Sequence, residues 1–325
     1  MTPDELRAAI AGLPILPFVA SPTPVEPLSR LSAALGGPRL FVKRDDAIPF
    51  GFGGNKVRKL ALVAARAKAD GADTLITAGG VQSNHARATA AAAAKLGMRA
   101  ILVANGTPQV KPSANALLDR LLGAEVVYVQ AREERQPRMN DVADRVRSEG
   151  RRPFVIPVGA STPLGAVGFA VAMAELVEQM PAPDVIVHST SSGGTQAGLV
   201  AGSRLLGLRT RIVGVSADAS SASLQNEVQA IVDGMTDVLP VDRKLLAEGT
   251  AIEVDDAFVG DGYGIPTAAS TEAIELCARS EALFLDPTYT AKAMAGLIAY
   301  VRQGRFAKDQ TVLFWHTGGQ VGLFA

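Results

Sequence analysis

The chain has 325 residues, enough for two domains with a sizeable core, and its 32 basic and 32 acidic side chains cancel. This balance argues against a nucleic acid or an anionic membrane as partner. The single cysteine excludes an internal disulfide, and the three histidines argue against a zinc site. We recognise no targeting signal and no transmembrane stretch, so we expect a cytoplasmic protein.

Short apolar strands alternate with helices along the chain. The strands are continuous apolar runs, which is typical of strands covered by helices on both faces. The alternation predicts an α/β fold with mostly parallel sheets, whose ligands bind at the carboxyl ends of the strands. Strands are predicted at 39–43, 74–77, 100–104, 125–129, 184–189, 211–216 and 311–315, and helices at 55–70, 83–96, 113–122 and 195–206.

Two segments rich in glycine and proline indicate domain boundaries: PFGFGG at 49–54 and PVGASTPLG at 157–165. They enclose about a hundred residues with their own alternation of strands and helices. We therefore predict a small domain, 54–159, inserted into a large domain formed by 1–53 and 160–325.

The segment GGNKVRKL, 53–60, places Lys56 in the first turn of a predicted helix. The positive end of the helix dipole disfavours a cation there, and burial would lower the pKa of the amine further. A neutral amine is a nucleophile able to form a Schiff base. The alternative is a solvated helix lysine, as expected for Lys68 and Lys95. The segment does not fit a P-loop, because no Gly-Lys-Ser/Thr follows the glycines.

Two further segments lie where a strand gives way to a helix. In GGVQSNHAR, 79–87, Ser83 and Asn84 either cap the helix or bind an anion, and we favour a carboxylate. In STSSGGTQAG, 189–198, hydroxyl groups, two glycines and a helix start favour a phosphate cradle over a plain turn. The second segment is not G-x-G-x-x-G, and Asp218 is the one acidic residue placed to meet a ribose, which weakens a dinucleotide interpretation.

The C-terminal third holds two more candidate segments. DPTYTAKAMAGL, 286–297, and the upstream GYG, 262–264, place Tyr289 and Tyr263 in loops, where each either transfers a proton or anchors a loop. HTGGQ, 316–320, follows the last strand and places Thr317 at the sheet edge, facing a ligand or in a terminal turn.

Together these segments resemble the fold type II enzymes that use pyridoxal phosphate, the tryptophan synthase β-like group. Within that group the chain resembles the family of 1-aminocyclopropane-1-carboxylate (ACC) deaminase and D-cysteine desulfhydrase. The resemblance also includes KRDD at 43–46 and runs in order to position 319. It implies a two-domain α/β fold with parallel sheets and flanking helices. It also implies pyridoxal 5'-phosphate as cofactor, a small amino-acid substrate and a homodimer.

The resemblance implies a role for each matching residue. Lys56 would hold the cofactor covalently and move the substrate's proton, and Asn55 would bind the cofactor's phenolic oxygen. Tyr263 and Tyr289 would face the substrate, and Thr317 would lie at the pyridine nitrogen. The substrate carboxylate would be surrounded by Ser83, Asn84 and His85, and the cofactor phosphate by Ser192, Gly193, Gly194 and Thr195.

Two departures distinguish this chain from ACC deaminases, which typically carry Tyr-Glu in the fourth segment and QSNQ in the second. Here Tyr289 is followed by Thr290, and the second segment contains QSNH. Both favour β-elimination over ring opening. We therefore expect D-cysteine to give pyruvate, ammonia and sulfide, with L-cysteate sulfo-lyase or ACC deaminase as alternatives. A β-replacement synthase or dehydratase, a binding protein without catalysis and a nucleotide-binding α/β protein are more remote.

Overall fold

The computed structural model describes all 325 residues and divides ten strands between two sheets. The strands are β1 (Val25–Pro27), β2 (Arg39–Arg44), β3 (Thr74–Gly80), β4 (Arg99–Asn105), β5 (Glu125–Val129), β6 (Pro153–Val155), β7 (Val185–Thr190), β8 (Arg211–Ser216), β9 (Glu253–Asp255) and β10 (Thr311–His316). The helices are α1 (Pro3–Ile10), α2 (Ser29–Leu35), α3 (Asn55–Ala69), α4 (Asn84–Leu96), α5 (Ala114–Leu121), α6 (Arg135–Ser148), α7 (Pro163–Gln179), α8 (Gly194–Leu205), α9 (Ser221–Gly234), α10 (Arg243–Ala247), α11 (Ala268–Glu281) and α12 (Thr290–Arg302).

The larger sheet has the order β1-β2-β10-β7-β8-β9, and every pairing in it is parallel except that of β1 with β2. All residues of β7 and β10 are buried. Side chains of α7 and α8 form the core on one face of this sheet, and those of α11 and α12 form it on the other. The prediction of parallel strands covered on both faces is confirmed.

The smaller sheet has the order β5-β4-β3-β6 and is entirely parallel. Helices α3 and α4 contribute to the core on one face, and α6 covers the other. Its four strands fall within 54–159 and the strands of the larger sheet fall outside, as the predicted insertion requires. The exact domain boundaries remain a prediction.

Helix α7 was not predicted, although it is the longest helix. Ten of its residues are buried, so its sequence lacks the polar face that marks an amphipathic helix. It begins inside the segment taken as a boundary, where Thr162 caps it by accepting a hydrogen bond from the Gly165 amide, and Pro163 follows.

A buried network of charges joins β2, α3 and α7. Lys43 Nζ lies 2.5 Å from Glu175 Oε1, and Arg58 Nη2 lies 2.8 Å from Asp45 Oδ1. Arg58 also bonds Glu175, at 2.9 Å, and the Trp315 indole donates to Asp45. Burial alone would raise the pKa of Glu175, but Arg58 and then Lys43 lower it to about 2. Every charge in the network therefore has an opposite partner.

None of the helices combines the length and the hydrophobicity needed to span a bilayer.

Candidate active site

A polar cleft lies at the carboxyl ends of β3, β7 and β10, where the fold class predicts a ligand. Only three of its 21 lining residues are hydrophobic, and none is acidic. Eleven of the twelve predicted site residues line the cleft. The exception is Gly194, whose amide donates to the Ser161 hydroxyl at 3.2 Å. The structure therefore brings together segments that are far apart in sequence.

Lys56 lies in the first turn of α3 and projects into this cleft. Its amine donates to Asn55 Oδ1 at 3.1 Å and has no carboxylate partner. Burial, and then the charge of Arg87, lower the pKa of Lys56 to about 8 despite an opposing effect of Asp286. A substantial fraction of this amine is therefore neutral near physiological pH.

Close backbone packing fixes the position of Lys56. The Asn55 amide donates to the Thr317 carbonyl at 2.9 Å, which ties the start of α3 to the segment after β10. Gly54 has a φ of 96°, and a Cβ there would lie 3.0 Å from the same carbonyl oxygen. Only glycine meets both conditions without strain.

The start of helix α8 is open to an anion. Its N-cap is Gly193, with a φ of 74°, which has no side chain to cap the helix, and of the first-turn amides only that of Gly194 donates to a side chain, Ser161. Hydroxyl groups surround it: Ser161 and Ser192 bond each other at 2.8 Å, and Thr195 accepts a hydrogen bond from Asn55 Nδ2 at 2.9 Å. Free amides at the positive end of a helix, with hydroxyl groups beside them, suit a phosphate.

Two residues next to this end of the cleft were not predicted: Ser161, which bonds Ser192 and the Gly194 amide, and Lys59, which bonds Ser161. Lys59 is fully buried, and its one hydrogen bond is to Ser161 Oγ at 3.3 Å. Burial and then the charge of Lys56 hold the pKa of Lys59 well below its usual value. A buried amine without a carboxylate partner, close to the start of α8, fits a phosphate-bearing cofactor, whose negative charge would favour the protonated amine. The signal was present, because Lys59 lies three residues after Lys56 and thus near the same helix face.

The segment after β3 begins helix α4 with Ser83 as its N-cap, which accepts a hydrogen bond from the Ala86 amide at 3.2 Å. A Cβ at Gly79 would lie 2.4 Å from the Ser83 side chain, so only glycine lets the two approach. Asn84 follows in the first turn and lines the cleft. This arrangement suits the predicted carboxylate, whose contacts remain a prediction.

His85 is held by the smaller sheet. Thr77 donates its hydroxyl proton to the Ile156 carbonyl at 2.8 Å, so it accepts from His85 Nε2 at 2.8 Å. Nδ1 is then an unprotonated, buried atom without a partner. Burial, and then the charge of Lys56, hold the pKa of His85 well below its usual value, so the ring is neutral.

Tyr263 and Tyr289 face each other across the cleft mouth, with their hydroxyl groups hydrogen-bonded and their ring centroids 5.7 Å apart. Burial raises the pKa of both. Both are therefore protonated, and since one hydroxyl donates to the other, the accepting tyrosine keeps its proton for a ligand. The Asp286 carboxylate fixes this loop by accepting hydrogen bonds from the amides of Thr288, Tyr289 and Thr290.

Thr290 occupies the position at which ACC deaminases typically carry glutamate. Its hydroxyl donates to Asp286 Oδ1 at 2.7 Å, and it is buried behind the cleft wall. Thr317 lines the cleft instead. The cleft thus offers a neutral hydroxyl where the resemblance places the partner of the pyridine nitrogen.

Two arginines of the cleft wall were not predicted. Arg132 is paired with Asp218 at 2.9 Å and lies 5.4 Å from the centroid of the Tyr263 ring. Arg135 donates to Asn105 Oδ1 at 2.9 Å and forms no ion pair. Their sequence, AREERQPR, resembles a solvated helix start and carries no signal of a site.

Comparison with known proteins agrees with this geometry. The family model described as pyridoxal-phosphate dependent enzyme matches residues 17–318. A D-cysteine desulfhydrase of Serratia proteamaculans (strain 568) is 40% identical over 330 residues, covering 99% of this chain and 98% of that protein.

Solved structures give the same picture. The crystal structure of an ACC deaminase homologue superposes with a TM-score of 0.90 at 34% identity, covering 98% of this chain and 96% of that one. The processed form of threonine deaminase isoform 2 from Solanum lycopersicum has a TM-score of 0.67 at 20% identity, covering 97% and 85%, and shares the fold.

The fold and the cleft define a fold type II enzyme that uses pyridoxal 5'-phosphate. The chain belongs to the pyridoxal-phosphate dependent enzymes and, among them, to the family of ACC deaminase and D-cysteine desulfhydrase. The family, fold class and cofactor expected from the sequence are confirmed.

Proposed function

We propose that this protein is a carbon–sulfur lyase that converts D-cysteine and water to pyruvate, ammonia and hydrogen sulfide. The observation that carries the proposal is the absence of any acidic side chain from the cleft lining, which includes Thr317, the residue that the resemblance assigns to the pyridine nitrogen. A neutral partner there does not enforce protonation of the ring, which favours expulsion of a β-substituent. The similarity to a D-cysteine desulfhydrase along the whole chain supports the same substrate.

One group of residues would bind the cofactor and accept the substrate's α-proton. Lys56 would hold the cofactor covalently, and Gly193, Gly194, Thr195 and Lys59 would hold its phosphate. When bound, the cofactor withdraws electrons from the substrate's α-carbon. The Lys56 amine, with its lowered pKa, is suited to accept the α-proton.

Other residues of the cleft would orient the substrate and assist the departure of sulfide. The start of α4, with Ser83 and Asn84, would bind the carboxylate and so fix the α-carbon. Tyr263 and Tyr289, both protonated, would supply a proton to the departing sulfur.

The proposal is tested by measuring pyruvate release from the purified protein loaded with pyridoxal phosphate. The panel contains D-cysteine, L-cysteine, L-cysteate, D-serine and β-chloro-D-alanine, with ACC assayed for α-ketobutyrate. We expect D-cysteine to give pyruvate and sulfide in equal amounts. Efficient formation of α-ketobutyrate from ACC, without pyruvate from D-cysteine, would overturn the proposal.

The role of Lys56 is tested by Lys56→Ala, with Lys68→Ala on the exposed end of the same helix as control. Loss of the amine should reduce turnover by about a thousandfold or more, because the amine both holds the cofactor and moves the proton. The control should retain wild-type turnover. A Lys56→Ala variant that kept a tenth of the activity would refute the assignment.

One observation favours a second candidate, elimination of sulfite from L-cysteate. The cleft wall carries Arg135, which forms no ion pair, beside Arg132, which is paired with Asp218 and lies next to Tyr263. A sulfonate on the β-carbon would supply the missing negative charge. Arg135→Gln should then lower kcat/KM for L-cysteate about tenfold to a hundredfold, as expected for one charge-assisted hydrogen bond.

The matched control is Arg138→Gln, one turn along α6, where the side chain is exposed and pairs with Asp141. It removes the same charge away from the cleft and should leave both substrates unaffected. Equal losses for D-cysteine and L-cysteate in Arg135→Gln would argue against the sulfonate.

We further propose that the enzyme is a homodimer in the cytoplasm, as the family resemblance implies. The aromatic side chains of Phe52, Phe284 and Phe324 are exposed in the single chain. Light scattering coupled to gel filtration measures the mass directly. A mass equal to one chain at micromolar concentration would contradict the dimer.

A further inference from the structure

We propose that Asn115, which does not line the cleft, is a positioning residue that orients the Asn84 carboxamide so that its N–H groups are available to the substrate carboxylate. The inference rests on the proposed carboxylate-binding role of the segment Ser83–Asn84. It follows from a chain of hydrogen bonds whose directions can be assigned from one end to the other.

The series of hydrogen bonds starts at Arg87, whose guanidinium is buried. Arg87 Nε lies 3.1 Å from Asn115 Oδ1, and Nη1 donates to the carbonyls of Gly51 and Gly53. A guanidinium has donors only. The atom of Asn115 that faces Arg87 must therefore be the oxygen, and the other end of that carboxamide must be the NH2 group.

The NH2 group of Asn115 in turn determines which atom of Asn84 faces it. Its nitrogen lies 2.9 Å from the Gln82 carbonyl and 2.9 Å from the side chain of Asn84. Since this nitrogen donates, the atom of Asn84 that faces it must be Oδ1. The donor groups of Arg87 thus determine the amide orientation of Asn84 through one intermediate residue, Asn115, so the assignment of O and N in the Asn84 carboxamide is not arbitrary.

The result is a free donor at the cleft. With Oδ1 of Asn84 occupied, its Nδ2 has no hydrogen-bond partner in the protein, and Asn84 lines the cleft. A carboxylate accepts hydrogen bonds and cannot donate them. An Asn84 turned the other way would present an oxygen to it and repel it.

The position of Asn115 at the start of α5 is maintained although the backbone just before it is strained. Asn115 is fully buried, and its own amide donates to Gln82 Oε1 at 2.9 Å. The preceding residue, Ala114, has a φ of 44°, a left-handed conformation that alanine adopts at a cost. The start of α5 is therefore fixed by the polar contacts of Asn115, which also connect α4 and α5.

The decisive variant is Asn115→Asp, which keeps the shape of the side chain. One carboxylate oxygen still accepts from Arg87, but the other now faces two acceptors, the Gln82 carbonyl and Asn84 Oδ1, and of these the Asn84 carboxamide can rotate to present its NH2 group instead. The readout is selectivity for a carboxylate: the ratio of the Kd of ethylamine to the Kd of D-alanine for the holoenzyme, from the visible absorption of the cofactor. We expect this ratio to fall about tenfold to a hundredfold. KM for D-cysteine should rise accordingly, with kcat changed less.

A double-mutant cycle tests whether Asn115 acts through Asn84. In an Asn84→Ala background, Asn115→Asp should leave the ratio unchanged, because the group that it reorients is gone. The matched control is Asn140→Asp on the exposed face of α6, which makes the same chemical change outside the site and should keep the wild-type ratio.

An unchanged ratio in Asn115→Asp, or an equal fall in the Asn84→Ala background, would overturn the inference. If Asn115→Asp does not fold, Asn115→Ser removes the donor to Asn84 more gently and should lower the ratio in the same direction. Absence of turnover with every substrate would refute the proposed function alone, since the ratio is measured with ligands that have no leaving group.

Discussion

Helix α3 carries two kinds of buried cation, and their surroundings are opposite. Arg58 points towards the larger sheet, where it joins Lys43 in a network with Asp45 and Glu175. Lys56 and Lys59 contact neutral oxygen atoms only. Cations that the protein itself neutralises hold the fold together. For the two lysines of α3 without a carboxylate partner we propose ligands from outside: Lys56 holds the cofactor covalently, and Lys59 binds its phosphate.

This contrast predicts opposite responses to removing a lysine. At Lys43, substitution by Met should lower the free energy of unfolding by about 3 kcal/mol, because it breaks a buried ion pair and leaves Glu175 with fewer partners. Urea unfolding measures the change. Lys68→Met on the exposed end of α3 is the control and should change it little. A loss below about 1 kcal/mol at Lys43 would mean that Arg58 alone is enough for Glu175.

At Lys59 the same substitution should act on the cofactor. Lys59→Met removes a cation that the cofactor-free protein buries without compensation, so the free energy of unfolding of that form should rise. The Kd for pyridoxal phosphate should increase about tenfold to a hundredfold, because a charge-assisted hydrogen bond is lost. A less stable protein with unchanged cofactor affinity would show that Lys59 belongs with the structural cations.

The pH dependence of stability gives a third test. The folded-state pKa of Lys56 is about 8, below the 10.5 of an exposed lysine, so above pH 8 the unfolded chain holds more protons than the folded one. Lys56 should therefore contribute a rise of about 1 kcal/mol in the free energy of unfolding of the cofactor-free protein between pH 8 and pH 9, and Lys59, whose pKa is also lowered, adds to the rise in the same direction. In Lys56→Met this rise should shrink. The raised pKa of Cys277 acts in the opposite direction, but only above about pH 9.

Sequence patterns located most of the site because its residues follow apolar strands. The strands ending at Thr190 and His316 are local features, and parallel strands bring their carboxyl ends to one edge. The hydroxyl and glycine residues beyond them were therefore recognisable as a cluster. The similarity of the motifs to a known family then assigned their roles.

Other features depend on contacts that no local pattern records. Arg135 belongs to a charged helix that resembles a solvated one, and only the fold turns it towards the cleft. Asn115 acquires its importance where α4 and α5 meet, and KRDD is explained by partners on α3 and α7. Tertiary contacts between distant segments determine whether these polar residues are solvated or buried.

The smallest expected effect comes from the exposed counterpart of the buried network, on the same helix α7. Glu178 lies one turn beyond Glu175 and bonds Arg7, but the two side chains remain 45% and 41% exposed. Water and salt screen such a pair, so Arg7→Gln should cost about 0.5 kcal/mol or less, and less still in high salt. Urea unfolding at low and high ionic strength, beside Lys43→Met, measures both. If Arg7→Gln lowered the free energy of unfolding as much as Lys43→Met, the contribution of an ion pair would depend on the pairing and not on its burial. The distinction between the ion-paired cations and the lysines without a carboxylate partner would then have to rest on the measurements of cofactor affinity at Lys59.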